Sequence, residues 1–241
     1  MPPALTIREQ RRKEMKRRRT LAITGMILGA VILLGALTAP FWTAALRPVG
    51  DVITPAFTNI PQPNANSMGD PNAPIKITEF SDFQCPACKL FHDRTFAQLV
   101  KEYVETGQVY YTYRSMGLWI GQESVDAIEA AYCAGEQNKF WEYHEVLFAN
   151  QGAENAGLLT QKRLLAFGEV VPGLEMQAFT ECVKDNRFND AINADRANGD
   201  AAQVKGTPSF LITAPGKAPK LIGGAMSIAD MKREIDAALA P

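Results

Sequence analysis

From Thr20 to Leu46 the chain carries no charged side chain. The run TLAITGMILGAVILLGALTAPFW is rich in Leu, Ile, Ala and Gly. An uncharged apolar stretch of about 20 residues is long enough to cross a bilayer core as a helix. A buried helix of a soluble domain seldom starts behind RRKEMKRRR and seldom lacks a polar face along its whole length. Gly25, Gly29 and Gly35 are costly in a soluble helix but common in a membrane one. Gly25 and Gly29 also have the small-xxx-small spacing of paired membrane helices. A segment of this kind splits the chain into a short tail and a long body.

The charge distribution follows the same division. The formal net charge is -1, but residues 1–19 hold eight basic and two acidic residues, a local +6. The remaining 17 basic and 24 acidic residues leave the rest at −7. An acidic body makes nucleic acid an unsuitable partner for it. The Lys/Arg cluster belongs on the cytoplasmic side of a membrane, which places everything after Leu46 outside. The resulting expectation is a cell-membrane, single-pass protein with a cytoplasmic tail (1–19), an anchor (20–46) and an extracytoplasmic remainder. A cleaved signal peptide is the alternative, with Thr43-Ala44-Ala45 as a loose small-residue cleavage site. The long basic region and the long apolar run favour the anchor.

Residues 47–68 read RPVGDVITPAFTNIPQPNANSM, with four prolines and little periodicity. Proline lacks a donor and resists helix, so this stretch is expected to be an extended tether, with a short docked strand near Val52-Ile53 as the alternative. Residues 69–241 form the folded body.

Ile75 to Phe80 alternates as a strand. SDFQCPAC leads into an apolar-periodic helix marked by Leu90, Phe91, Phe96, Leu99, Val100 and Tyr103 and closed by Gly107. Val109 to Tyr113 is β-branched and aromatic, a second strand. Residues 122–204 then read as helix, in pieces near 122–135, 139–150, 160–168, 174–184 and 187–203. Pro208 precedes a strand over 209–213, Pro215-Gly216 marks a turn, and 220–222 reads as a short strand. Ser227 suits the N-cap of a last helix over 228–239. The order βαβ, helical block, ββα is an α/β thioredoxin-like layout with a helical insertion at about 118–204, preceded by one transmembrane helix.

Cys85-Pro86-Ala87-Cys88 falls at a strand-to-helix junction. Free backbone N–H groups and the helix dipole favour a thiolate on the first cysteine and make it the nucleophile. Pro86 fits the first helical turn, where a missing N–H costs nothing. Cys88, one turn on, is placed to resolve a mixed disulfide on Cys85. Zinc or iron–sulfur sites usually need four ligands with a second close pair, whereas Cys133 and Cys182 stand apart and there are two histidines. No metal, nucleotide or flavin cofactor is implied.

EFSDFQCPAC at 79–88, AYCAGEQNKFWEYHEVLF at 131–148 and VKGTPSF at 204–210, in that order, resemble the DsbA family of extracytoplasmic thiol-disulfide oxidoreductases, and its membrane-anchored members in particular. The resemblance covers about residues 69–241. It implies that Cys85 attacks and Cys88 resolves. It implies that Pro208 follows Thr207 through a cis bond in a loop facing the sulfurs, where the Thr207 backbone can pair with an extended substrate chain. Glu79 matches a buried acid with a raised pKa that relays protons to Cys88; the alternative is a solvent-facing strand residue. One departure stands out: where the best-known member has His between its cysteines, this chain has Pro86 and Ala87. Without that side chain Cys85 is expected to be less acidic, and the disulfide less oxidising. His92, seven residues beyond Cys85, is expected to pack or face solvent rather than react. Trp119 and Trp141 could line a peptide groove, though aromatics at helical spacing are usually core.

The resemblance also assigns Cys85–Cys88 to the redox site, which leaves Cys133 and Cys182 as a structural pair between insertion helices. Two unpaired thiols and a second, shuttling redox pair remain alternatives. The implied activity is disulfide donation to thiols of unfolded secreted proteins. A quinone-linked membrane reoxidase of the DsbB or vitamin-K-epoxide-reductase (VKOR) type would then restore the disulfide. A reductase or isomerase using the same site, and a tethered chaperone or adaptor, are the other readings.

Overall fold

The computed structural model describes residues 7–46 and 49–240. The chain divides after Pro48 into two compact units. The first is a single helix, α1 (Ile7–Leu46), which runs unbroken from the basic tail through the apolar run. Lys and Arg are good helix formers, so residue 20 bounds the charge pattern but not the helix. Met15–Leu37 has a mean hydropathy of 2.3 and is long and apolar enough to cross a membrane. Inside this span the Thr20 and Thr24 hydroxyls donate to the Lys16 and Thr20 carbonyls at 3.0 and 2.8 Å, so neither hydroxyl needs water.

The second unit begins at Val49. Its sheet contains β1 (Ser67–Met68), β2 (Ile75–Ser81), β3 (Val109–Ser115), β4 (Ser209–Thr213) and β5 (Lys220–Gly223), in the order β1-β3-β2-β4-β5. β2 pairs parallel with β3 and antiparallel with β4. The parallel pair needs a crossover. It is supplied by α2 (Pro86–Phe91), a π-helical turn (His92–Phe96), α3 (Ala97–Leu99) and a second π-helical turn (Val100–Val104). Gly107 follows with φ +74, the left-handed conformation that ends the run.

The insertion is built from α4 (Gln122–Gly135), α5 (Phe140–Ala149), α6 (Gln161–Glu169), α7 (Met176–Asp185) and α8 (Asn189–Ala201). It shares the core of the sheet. Phe140 of α5 lies 5.5 Å from Tyr113 of β3, Trp141 stacks 5.7 Å from Phe96, and Trp141 Nε1 donates to the Ser67 carbonyl. Trp141 is therefore core, while Trp119 is 41% exposed. The last helix, α9 (Ile228–Leu239), buries Met231 and Ile235, and its cap is Ser227, whose hydroxyl accepts the Asp230 N–H.

The tether expected over 47–68 needs correction. Residues 47–48 lie outside the described residues, but from Val49 the chain is a strap packed on the body. Val52, Phe57 and Ile60 pack on the core. Thr58 N–H donates to the Glu145 carboxylate of α5, Arg163 of α6 donates to the Val49 carbonyl, and Ser67-Met68 pairs with β3. The prolines remove helix as an option but leave apolar side chains that burial rewards.

Candidate functional site

Cys85 is the N-cap of α2, with φ −70 and ψ 120, and Pro86 occupies the first turn. This is the junction at which the chain leaves β2 and the sheet ends. Cys85 is 8% exposed and Cys88 is fully buried, both as free thiols. The two sulfurs sit in opposed environments. A hydrogen bond from the Cys88 thiol, joined by the Thr207 hydroxyl and the Cys88 and Ala87 backbone N–H groups, draws the Cys85 pKa down to about 5 against the cost of desolvation. Burial, followed by the hydrogen bond to Cys85 and the charge there, pushes Cys88 well above the usual thiol range. One thiolate and one thiol therefore share a proton-poor and a proton-rich half of the pair.

Three separated segments converge here. The Thr207–Pro208 bond is cis, and the Thr207 carbonyl lies 3.4 Å from Cys85 Sγ, where it accepts from Cys85 only in its protonated form. Glu79 lies on β2 and is 2% exposed. It accepts the Tyr111 hydroxyl at 2.7 Å, and burial lifts its pKa to about 7 although the Tyr111 and Ser81 hydroxyls oppose the rise. A neutral or half-ionised acid at that depth can give or take a proton near neutrality.

Other contacts lay beyond the reach of the sequence. Gln151 Nε2 holds the loop before α2 by donating to the Phe83 and Cys85 carbonyls at 2.7 and 3.1 Å. Gln84 donates to Ser124 of α4 and accepts the Asn155 N–H. Asp82, 1% exposed, accepts from Gln84 N–H and from Ser124. Asp82 lies inside the EFSDFQCPAC run, and a charged residue between two phenylalanines was the available signal.

The remaining candidates sit elsewhere. Cys133 and Cys182 form a disulfide joining α4 to α7. Glu129, Cys133 and Cys182 gather within 4.8 Å, but two sulfurs bonded to each other offer no thiolate to a metal. His92 belongs to an aromatic cluster, 4.8 Å from the Phe148 ring and 5.2 Å from His144.

A five-stranded sheet with a parallel β2–β3 pair, a crossover helix headed by two cysteines and a cis-proline loop beside Cys85 is a thioredoxin-like arrangement. A "Probable disulfide bond formation protein D" of Bacillus cereus is 26% identical over 149 residues, covering 61% of this chain and 68% of its own length. The fold matches that of oxidised BdbD from Bacillus subtilis at a TM-score of 0.65 and 21% identity, over 76% of this chain and 98% of that one. It also matches the DsbA of Chlamydia trachomatis at 0.61 and 23%, over 76% and 96%. Together these define the class, a protein-disulfide oxidoreductase of the DsbA type. The chain belongs to the thioredoxin family, whose model, described as thioredoxin, matches residues 62–237.

Proposed function

We propose that this protein is a membrane-anchored, extracytoplasmic disulfide donor that works through Cys85–Cys88. The observation that carries the reading is the opposed ionisation of the pair: Cys85 acidic at the head of α2, Cys88 buried and protonated. In the oxidised protein a thiolate of an unfolded secreted chain attacks Cys85 Sγ. The Cys85–Cys88 bond breaks, and Cys88 departs as a thiolate that takes a proton from Glu79. A second thiolate of the client attacks the client sulfur of the mixed disulfide and expels Cys85 as its stable thiolate. The client loses two electrons and the protein gains them. Thr207, beside Cys85, offers its backbone to the extended client chain.

The α1 helix supports anchoring, and the basic residues ahead of it support a cytoplasmic N-terminus. On this reading the reduced protein is returned to the disulfide by a quinone-linked membrane reoxidase, DsbB-like or VKOR-like. The test is the reduction potential of Cys85–Cys88 in the full chain in detergent, equilibrated with glutathione buffers. A value near the roughly −120 mV of strong periplasmic oxidants supports donation. A value near the roughly −270 mV of thioredoxin overturns it in favour of a reductase.

A further inference from the structure

Glu79 is not the only buried acid beneath the sulfurs. Asp82 occupies the turn between β2 and α2, and its backbone carbonyl accepts the Cys85 N–H at 3.1 Å. Its Oδ1 accepts the Gln84 N–H and the Ser124 hydroxyl, each at 2.7 Å. Its Oδ2 is buried and accepts nothing. An ionised carboxylate has about four lone-pair sites to satisfy, and a bare buried oxygen on an anion is costly. A neutral carboxyl suits the site better, with Oδ1 as the acceptor and Oδ2 as the hydroxyl. Burial accordingly raises the Asp82 pKa to about 7, with the charge on Cys85 adding to the rise.

We propose that Asp82 is a positioning residue that stores a proton whenever Cys85 is a thiolate, so that reduction of Cys85–Cys88 draws an extra proton into the turn. The inference rests on the reading of Cys85–Cys88 as the redox site. Two electrons and one proton convert the disulfide into the Cys85 thiolate and the Cys88 thiol. The client dithiol supplies the electrons. The negative charge appearing on Cys85 then favours COOH over COO⁻ at Asp82, which takes up a second proton from solvent. When the client leaves and the disulfide is restored, that proton is released. The groups facing Asp82 are Cys85 at the N-cap of α2, Tyr113 from β3, Ser124 from α4 and Glu154 from the loop after α5. Tyr113 stays neutral, Ser124 carries no charge, and Glu154 pushes in the same direction as Cys85. Glu79 and Cys88 lie below and form a separate couple.

The experiment is the equilibrium constant of the full chain in detergent against glutathione, from pH 5.5 to 8, for the parent, Asp82→Asn and Glu79→Gln. Reduction by two glutathione thiols, which give up two protons where the pair keeps one, makes the equilibrium constant rise about tenfold per pH unit, and a further proton held by the protein cancels up to that whole tenfold. The parent is expected to rise by less than tenfold per unit near neutrality. Asp82→Asn is expected to recover part of that shortfall, its profile converging with the parent's at low pH and diverging above pH 7. A purely structural role would displace the profile by a constant factor, so parallel profiles overturn the proposal. So does a shortfall that survives in Asp82→Asn and vanishes only in Glu79→Gln. Ser124→Ala, which removes a donor to Asp82 and should move the bend to higher pH, serves if Asp82→Asn fails to fold. If the parent's Cys85–Cys88 pair does not exchange with glutathione, the redox-site reading fails and the proposal with it.

Discussion

Asn150 grips the backbone of Ile53 from both sides. Ile53 N–H donates to Asn150 Oδ1, and Asn150 Nδ2 donates to the Ile53 carbonyl, each at 2.8 Å. One side-chain amide thus satisfies a donor and an acceptor of a strap that has no strand partner at that point. The next residue, Gln151, holds the Cys85 carbonyl. The strap and the loop that carries Cys85 are therefore fastened to successive residues just after α5.

Asn150→Ala removes both bonds to Ile53 and a third to the Val146 carbonyl. A broken hydrogen bond at a half-buried group costs about 1 kcal/mol, and Ile53 can turn part of its backbone to water. The expected loss is about 1–2 kcal/mol in denaturant unfolding. Residues 49–66 should also become more sensitive to protease. Unchanged stability together with unchanged cleavage would mean that the strap is a passive tether after all.

The Cys133–Cys182 bond closes a sequence separation of 49 residues. The chain-entropy model assigns such a loop roughly 4 kcal/mol, an upper-end figure. Both sulfurs are buried, so glutathione should not reach them while the fold persists. Replacing both cysteines with Ala should cost a few kcal/mol in unfolding. In the parent, mass spectrometry after thiol labelling should find 133–182 oxidised across the whole range in which 85–88 titrates. Labelling of Cys133 and Cys182 in step with Cys85 would instead revive the second redox pair.

Much of this was readable in the residues, and the exceptions have physical causes. Each insertion helix lies within about two residues of its apolar stripe, because a helix buried on one face must repeat its apolar residues at 3.6. The β2, β3 and β4 strands follow from alternation for the same reason at period 2. The strap was not readable, since its partners Glu145, Asn150 and Arg163 lie about 90 or more residues away and leave no local mark. Asp82 left only its place between Phe80 and Phe83 as a mark, since its burial depends on Ser124, 42 residues on. The two π-helical turns in the crossover have no composition of their own.

Glu79 gives a pH dependence with a definite sign. Its pKa is about 7 in the fold against 4.5 in the reference state, with burial as the main cause. Between those values the folded protein binds more protons than the unfolded chain, so stability falls as pH rises from 4.5 to 7 and the full penalty applies above 7. Glu79→Gln keeps an acceptor for Tyr111 and loses the charge. It should match the parent at pH 4 and exceed it at pH 8 by on the order of 3 kcal/mol. The comparison belongs in the oxidised protein, where Cys85 does not titrate. Asp82 acts in the same direction, so a shallower slope should persist in the variant. A variant less stable than the parent at pH 8 would contradict burial as the cause.

The last prediction concerns what keeps Cys85 ionised. The Cys88 thiol is the largest contribution to its low pKa, ahead of Thr207 and the helix N–H groups. In the reduced protein the thiolate adds stability that is fully present above the unfolded thiol pKa of 9 and is lost as pH falls through about 5. Stabilising the reduced form in this way makes the disulfide a better oxidant. Ultraviolet absorbance of the thiolate should show an inflection near pH 5 in the reduced parent. Cys88→Ala should move it upward by removing the donor, while Cys88→Ser, which keeps an O–H, should leave it between the two. Helix-dipole control alone would predict three coincident titrations, because all three proteins keep the Cys85 N-cap and Pro86 at the head of α2. Separation in the stated order assigns the acidity to the partner thiol, and with it the driving force for the proposed disulfide donation.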